Sequence, residues 1–297
     1  GGGGGGGDGV GLRVLQYNIN CGYGNGLEAM PKWEDVLDAA LAHSPDLIIW
    51  NEFGGGRYDV MREHARFGQP SPASMLATAL LRLGYQLHAS DVPFPTVMAT
   101  KCAVLDHRAV SLSRTRGAIR ARLRVDRPGG SREVVVYGTH LDHMHSDCRQ
   151  AEMASLVRDV DGATADKPSV RWSDDDADPD DACGTPVIVV GDFNEQRSED
   201  YHPDDWAQIC EGRLRRGEEP SAGPGVAGLL EDAGFKCSFD LPGPRNWHAD
   251  DPPPPTHWTS TVIDFACARG AVTGCGVYVV PSNLSDHRPV VTDWLLD

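Results

Sequence analysis

PVIVVGDFN, residues 186–194, is the stretch whose reading decides the fold class. Four consecutive β-branched apolar residues, 187–190, describe a strand buried on both faces. The chain then breaks at once into Gly191, Asp192 and Asn194, residue types that form turns. An apolar strand that ends in a carboxylate sets that acid at the rim of a sheet. The same pattern recurs along the chain. LRVLQYNI, residues 12–19, alternates in polarity, carries Asn18 at its end and runs into the glycine-rich NCGYGNG. LIIWNE, residues 47–52, emerges at Asn51 and Glu52. EVVVYGTHL brings up His140, VIDFACA holds Asp264, and SDHRPVVTDWLL sets Asp286 and His287 just before the last strand. Six β-like segments thus offer acid, amide or imidazole groups, which predicts one shared functional face.

Between them lie helical segments. PKWEDVLDAALAH, residues 31–43, spaces Trp33, Val36, Leu37, Ala40 and Leu41 as one helix face. SPASMLATALLRL, residues 71–83, has Ser71 or Ser74 as its N-cap, and RQAEMASLVRDV, residues 149–160, is amphipathic. CAVLDH, AVSLS and AIRARLRV read as strands, the last joined to EVVVYGTHL by the turn signal PGGS. Residues 161–185, 211–228 and 241–256 read as loop insertions, the first with six aspartates at 174–181. The expected architecture is an α/β four-layer sandwich: two packed, mainly antiparallel β-sheets flanked by helices, one domain over residues 12–297. The first eleven residues have no initiator Met and no signal-peptide zones, and read as a flexible linker of an excised or processed chain.

Composition narrows the function classes. The net charge of −16 opposes long-range attraction of polyanions, which tilts the expectation toward a small or lipid-linked substrate over nucleic acid. No run of 18 apolar residues is present to span a membrane. The eight cysteines are scattered without a CxxC, so they read as mostly buried thiols. Oxygen donors without clustered thiolates suit a hard cation.

The ordered series YNI with Asn18, WNE with Glu52, GTHL with His140, GDFN with Asp192 and Asn194, VIDF with Asp264, and SDHRPV with Asp286 and His287 resembles the endonuclease/exonuclease/phosphatase superfamily. That superfamily includes pancreatic-type deoxyribonucleases, apurinic-site endonucleases, neutral sphingomyelinases, inositol polyphosphate phosphatases and poly(A) deadenylases. The resemblance implies hydrolysis of a phosphodiester or phosphomonoester by in-line water attack, with Mg²⁺ as cofactor and Mn²⁺ able to substitute. It implies that Glu52 binds the metal with Asn18 and Asp286 beside it. Asp192 would orient or deprotonate the water, Asn194 would hold a phosphoryl oxygen, and His287, oriented by Asp264, would contact the phosphate, with His140 a further catalytic residue where the deoxyribonuclease branch has a histidine. Two departures bear on substrate contacts: Asn51 stands where the family commonly has Gln, and TKCAVLDHRAV replaces a segment close to G-x-A-I-L-S-R.

Other readings compete. HxHxD at 143–147 followed by Cys148 is a near miss to a zinc-hydrolase ligand set. A catalytically silent binding module would keep the fold and lose the chemistry. Arg120, Arg122 and Arg124 share one face of a strand, either as a solvated outer face or as a docking stripe for a phosphorylated substrate, whether small molecule, lipid head group or nucleic acid. Trp247, His248, His257 and Trp258 flank the proline-rich segment as an aromatic lip or as cover for a core edge.

Overall fold

The computed structural model describes residues 10–20, 33–54, 71–128, 130–165, 184–248 and 251–297. The glycine-rich NCGYGNG beyond Asn20, the start of the first helix, and the six-aspartate stretch lie outside them.

Twelve strands among the described residues form two six-stranded sheets. The first has the order β11-β12-β1-β2-β4-β3 and the second β5-β6-β7-β8-β10-β9. In chain order the strands are β1 Val10–Asn18, β2 Leu47–Asn51, β3 Gln86–Ala89, β4 Val97–Thr100, β5 Ala103–Ser111, β6 Gly117–Arg127 and β7 Gly130–His140. Then come β8 Val187–Asp192, β9 Lys236–Cys237, β10 Asp264–Arg269, β11 Val272–Val279 and β12 Val290–Leu296. The helices are α1 Trp33–Leu41, α2 Pro72–Arg82, α3 Ser146–Ala165, α4 Pro203–Arg215 and α5 Gly225–Asp232. Ser71 caps α2, its side chain accepting from the Ser74 amide at 3.2 Å.

Each sheet is antiparallel except at its centre, where one parallel pair sits: β1 with β2, and β7 with β8. Parallel neighbours require a crossover, and α1 lies in the first connection and α3 in the second. This arrangement positions the site. Parallel strands end on the same edge, so Asn18 is in register with Asn51, and His140 with Asp192. β10 runs against β8 and starts with Asp264 opposite Asp192.

Period-two alternation then sorts the faces. On β1, Leu12 and Val14 belong to the cluster between the sheets, while Leu15 and Tyr17 pack with Val36, Leu37 and Ala40 of α1 and with Leu76 and Leu80 of α2. The inward row therefore reads Leu12, Val14, Gln16, Asn18, turning from aliphatic to amide as it reaches the rim. Its partner on β2 reads Leu47, Ile49, Asn51, and the polar end of the sandwich interior is made of these amides. Gly138 lets the sheets approach there: a Cβ would stand 2.8 Å from Ile49 Cδ1. Gly191 serves the next strand pair, where a Cβ would fall 1.9 Å from the Thr139 carbonyl oxygen.

The structure differs from the sequence reading in several places: α3 runs on to Ala165, into the expected 161–185 loop, and CAVLDH and AVSLS join in the single strand β5. Residues 203–215 form α4, and 225–232 form α5, so part of the expected 211–228 loop is helical. α4 buries only Arg213 and has no apolar stripe to read. The short strands β3, at the sheet edge, and β4 beside it, four residues each, also lack an alternation long enough to recognise. The six described cysteines, Cys102, Cys148, Cys210, Cys237, Cys267 and Cys275, are free thiols, four of them buried.

Candidate active site

Glu52, His140, Asp192, Asn194, Asp286 and His287 line one cleft at the polar rim, with a volume of about 260 Å³. Asp264 lies directly beneath, fully buried.

The deepest layer is a network of amides. Asn51 is fully buried and uses its whole hydrogen-bonding capacity. Its Oδ1 accepts from Gln16 Nε2 at 3.0 Å and from the Asp192 amide at 3.1 Å. Its Nδ2 donates to Thr96 Oγ1 at 3.1 Å and to the Thr139 carbonyl at 2.8 Å. Gln16 belongs to the first sheet and Thr96 directly precedes its β4, while Thr139 and Asp192 belong to the second, so this side chain ties the sandwich together under the cleft. Gln16 Nε2 also donates to Asp264 Oδ1 at 2.7 Å, leaving Oδ2 of that carboxylate to meet His287 Nδ1 at 2.9 Å.

His287 therefore presents Nε2 upward, 3.6 Å from Asp192 Oδ2. Burial disfavours its imidazolium, but the charges of Asp264 and Asp192 outweigh burial and raise its pKa to about 10. Asp192 is pushed up to about 7, first by burial and then by the charge of Asp264, with His287 opposing. Asn18 Nδ2 holds the same Oδ2 at 2.9 Å, and the Asn194 amide donates to Oδ1 at 2.9 Å. Asn194 takes a positive φ of 52° and bonds the Leu141 carbonyl through Nδ2 at 3.0 Å, which turns the chain over the cleft. Glu52 likewise has a positive φ, 51°, at the end of β2.

His140 Nε2 stands 3.6 Å from Asp192 Oδ2 and 4.0 Å from Glu52 Oε1. Its Nδ1 meets Arg116 Nη1 at 3.1 Å. A guanidinium only donates, so Nδ1 is the acceptor and the ring proton is on Nε2, facing the carboxylates. Burial, with the charge of Arg116 adding to it, holds His140 neutral, well below the ordinary histidine range.

For a divalent cation the carboxylates are the suited donors. The trios Asp192, Asp264, His287 and His257, Asp286, His287 each bring their ligand atoms within 4.8 Å of one another. His287 is a poor ligand in both, because Asp264 engages Nδ1 and favours the protonated ring. The oxygens of Glu52, Asp286 and Asp192 remain, and hard oxygens fit Mg²⁺ or Mn²⁺. Asn18 Oδ1 accepts from the Asn20 amide at 3.0 Å, so the side chain turns Nδ2 to Asp192 and, at 3.4 Å, to Glu52. Through Nδ2 it steadies both carboxylates.

Arg120, Arg122 and Arg124 are not brought to the cleft. They lie on the β6 face shared with Tyr137, whose hydroxyl donates to Asp159 of α3. Asp106 pairs with Arg120 and Arg122, Glu133 with Arg122 and Asp126 with Arg124, on the outer face that α3 partly covers. The zinc reading also loses its geometry. His143 Nδ1 is occupied by Arg116 at 3.2 Å, and among the described residues no metal-competent trio contains His143, His145 or Cys148. Of the aromatic residues, His257 and Trp258 do line the cleft, with the His257 ring 4.6 Å from that of His287, whereas Trp247 packs on Phe239. Sequence reasoning missed Gln16, Arg116, Arg213 and Arg216. Only the placement of Gln16, two before Asn18 on the inward face, signalled its role.

A buried carboxylate–imidazolium pair, a second acid beside it and a neutral imidazole donor, all at strand ends of an α/β sandwich, define a phosphoester-hydrolase type of site. The sequence profile of the Endonuclease/Exonuclease/phosphatase family matches residues 15–287, and the chain belongs to that family of phosphoester hydrolases. No curated protein sequence matches the chain. The fold is similar to the human Nocturnin catalytic domain with bound sulfate anion, at 18% identity and a TM-score of 0.61, covering 97% of this chain and 95% of that one. It is similar to truncated TDP2 from Caenorhabditis elegans, at 16% identity and a TM-score of 0.57, covering 96% and 98%. It is also similar to a mannosyl-6-phosphatase from Bacteroides thetaiotaomicron, at 14% identity and a TM-score of 0.57, covering 96% and 100%. No helix among the described residues is long and apolar enough to cross a membrane.

Proposed function

We propose that the chain is a Mg²⁺-dependent hydrolase of a compact phosphodiester or phosphomonoester, with Mn²⁺ as a substitute metal. The supporting observation is the convergence on Asp192 Oδ2 of Asn18 Nδ2 and of the Nε2 atoms of His140 and His287, at 2.9, 3.6 and 3.6 Å. Hydrolysis forms a bond from water oxygen to phosphorus as the ester P–O bond breaks, while negative charge builds on the non-bridging oxygens. Asp192 orients the water and accepts its proton. His287, held by Asp264, donates from Nε2 to a phosphoryl oxygen, and His140 donates from its own Nε2–H. Asn194 uses its remaining amide proton on the same phosphoryl group. Glu52 and Asp286 would hold the divalent cation, which when bound supplies positive charge to the phosphoryl oxygens. Asn18 fixes the carboxylates against recoil.

The test is restoration after chelation. Protein stripped with EDTA is assayed on an aryl phosphodiester and an aryl phosphomonoester with Mg²⁺, Mn²⁺ or Zn²⁺ returned singly. Mg²⁺ and Mn²⁺ should each restore turnover of at least one ester. Full activity in EDTA, or recovery with Zn²⁺ alone, would refute the proposal.

A further inference from the structure

Resting on that hydrolase reading, a second group of donors in the same cleft bears on which ester is taken. Arg116 and Arg213 are both buried, 6% and 3% exposed, and both converge on His143. Arg116 Nη2 donates to His143 Nδ1 at 3.2 Å, and Arg213 Nη2 donates to the His143 carbonyl at 3.1 Å. Since a guanidinium cannot accept, His143 keeps its proton on Nε2 as a further donor. Arg213 spends its other bonds on neutral acceptors: Nε on the Glu219 carbonyl and Nη1 on Gln196 Oε1, each at 3.1 Å. The carboxylate nearest to it, Glu218, is 3.8 Å away and is gripped by Arg216 through two bonds of 2.8 and 3.0 Å. Behind Arg116, Asp142 and Glu152 feel its charge but bond elsewhere, Asp142 to the amides of Met144 and His145, Glu152 to Ser113 and the Asp142 amide.

Three guanidinium groups, of Arg116, Arg213 and Arg216, thus face the cleft, where Glu218 is the carboxylate paired with Arg213 and Arg216, while Glu52, Asp192 and Asp286 line the same cleft. Buried cations bonded to neutral acceptors are costly unless an anion completes them. Burial, with the charge of Arg149 adding to it, pulls the Arg213 pKa down to about 10, the sign of an under-compensated charge. Of these groups, Arg116 also touches a residue assigned to the scissile phosphate, through Nη1 on His140 Nδ1 at 3.1 Å. The surroundings bear on the class of ligand. The cleft holds about 260 Å³, at the small end for ligand sites. The groove that continues from it past Arg216 and Thr259 is walled by Glu199, Asp205, Asp251 and Pro252 to Pro255. A nucleic-acid backbone following that groove would set phosphates against carboxylates.

We propose that His143, Arg213 and Arg216, backed by Arg116, form a second anion subsite, so that the preferred substrate is a small phosphoester bearing a second phosphate or similar anionic group.

The experiment compares a hexose bisphosphate with the matching hexose monophosphate, using the full chain with Mg²⁺, and reads the ratio of their kcat/KM values. In parallel, calorimetry without metal compares inorganic pyrophosphate with orthophosphate. The wild-type chain should favour the bisphosphate and pyrophosphate by about tenfold or more, the worth of one charge-assisted contact. His143→Ala and Arg213→Lys, checked for wild-type thermal unfolding, should bring both ratios toward one. Arg213→Lys keeps the charge and loses the fork, so it reports on anion geometry even where a neutral variant would not fold. Ratios near one in the wild-type chain, ratios unchanged in the folded variants, or an oligonucleotide bound more tightly than pyrophosphate would overturn the subsite. Absence of any ester turnover alongside preferential pyrophosphate binding would instead sink the hydrolase reading and leave the subsite standing.

Discussion

Asn51→Leu removes a side chain that bonds both sheets beneath the cleft, and its cost can be worked from the partners left behind. Thr96 can rotate its hydroxyl, and Gln16 retains Asp264. The Thr139 carbonyl and the Asp192 amide lose the bonds of 2.8 and 3.1 Å that Asn51 supplied and stay in the interior. A stranded buried polar group costs about 1–3 kcal/mol, so two of them give a loss of about 2–6 kcal/mol. That is a large part of the stability of about 5–15 kcal/mol typical of folded proteins. Asn51→Gln keeps the amide but adds a methylene to a fully packed site, which costs about 1–3 kcal/mol through displaced neighbours. Urea unfolding in EDTA gives the measurement, with the slope checked for constancy so that midpoints compare. The Asp192 amide is one of the stranded groups, so Asn51→Leu should also lower turnover under conditions where the variant is still folded. A stability loss below about 1 kcal/mol with unchanged turnover would show that the four bonds do not clamp the site.

Glu52→Gln should abolish Mg²⁺-supported turnover with little change in the unfolding midpoint, since a neutral amide is a poor ligand for a hard cation; unchanged activity at saturating Mg²⁺ would remove Glu52 from the site. His287→Ala and Asp264→Asn should each lower kcat by about 10² or more, and the double variant should be little worse than the poorer single one. Losses that multiply in the double variant would show that the two residues work independently. Arg149 is fully buried and donates to Glu195 at 3.1 Å and to the Glu219 carbonyl at 2.7 Å, so Arg149→Met should cost about 3–5 kcal/mol by leaving Glu195 uncompensated. A thermal unfolding scan within error of wild type would contradict that. Gly191→Ala should abolish soluble folded protein or separate β7 from β8 and erase activity, because the Cβ would overlap the Thr139 carbonyl oxygen; a folded, active variant would mean the strands can spread.

The strand-end acids were legible because their signal is local: a buried strand cannot continue through Asp192 or Glu52, so each marks a rim. That the rims coincide follows from the two central parallel pairs, whose presence the expectation of mainly antiparallel sheets did not specify. The direction of Asn18 was not legible, since the same residue at the same place can offer oxygen or nitrogen, and the Asn20 amide decides it. Arg120, Arg122 and Arg124 illustrate the opposite case. Alternation shows that they share a face, but only pairing with Asp106, Glu133 and Asp126 shows that the face is the outer one. Arg116 and Arg213 carry no local pattern at all. They come to the cleft from the turn before β6 and from the polar helix α4, and meet only through His143.

The central claim is that water, oriented at Asp192, attacks phosphorus in this cleft. A single-turnover reaction in ¹⁸O-labelled water, with Mg²⁺-loaded protein in excess over an alkyl phosphoester, tests it by mass spectrometry of both products. The expected result is one water-derived oxygen on the phosphorus-containing product, none on the alcohol, and loss of the labelled product in Asp192→Asn. Label on the alcohol, or labelled phosphate formed at the wild-type rate by Asp192→Asn, would contradict it.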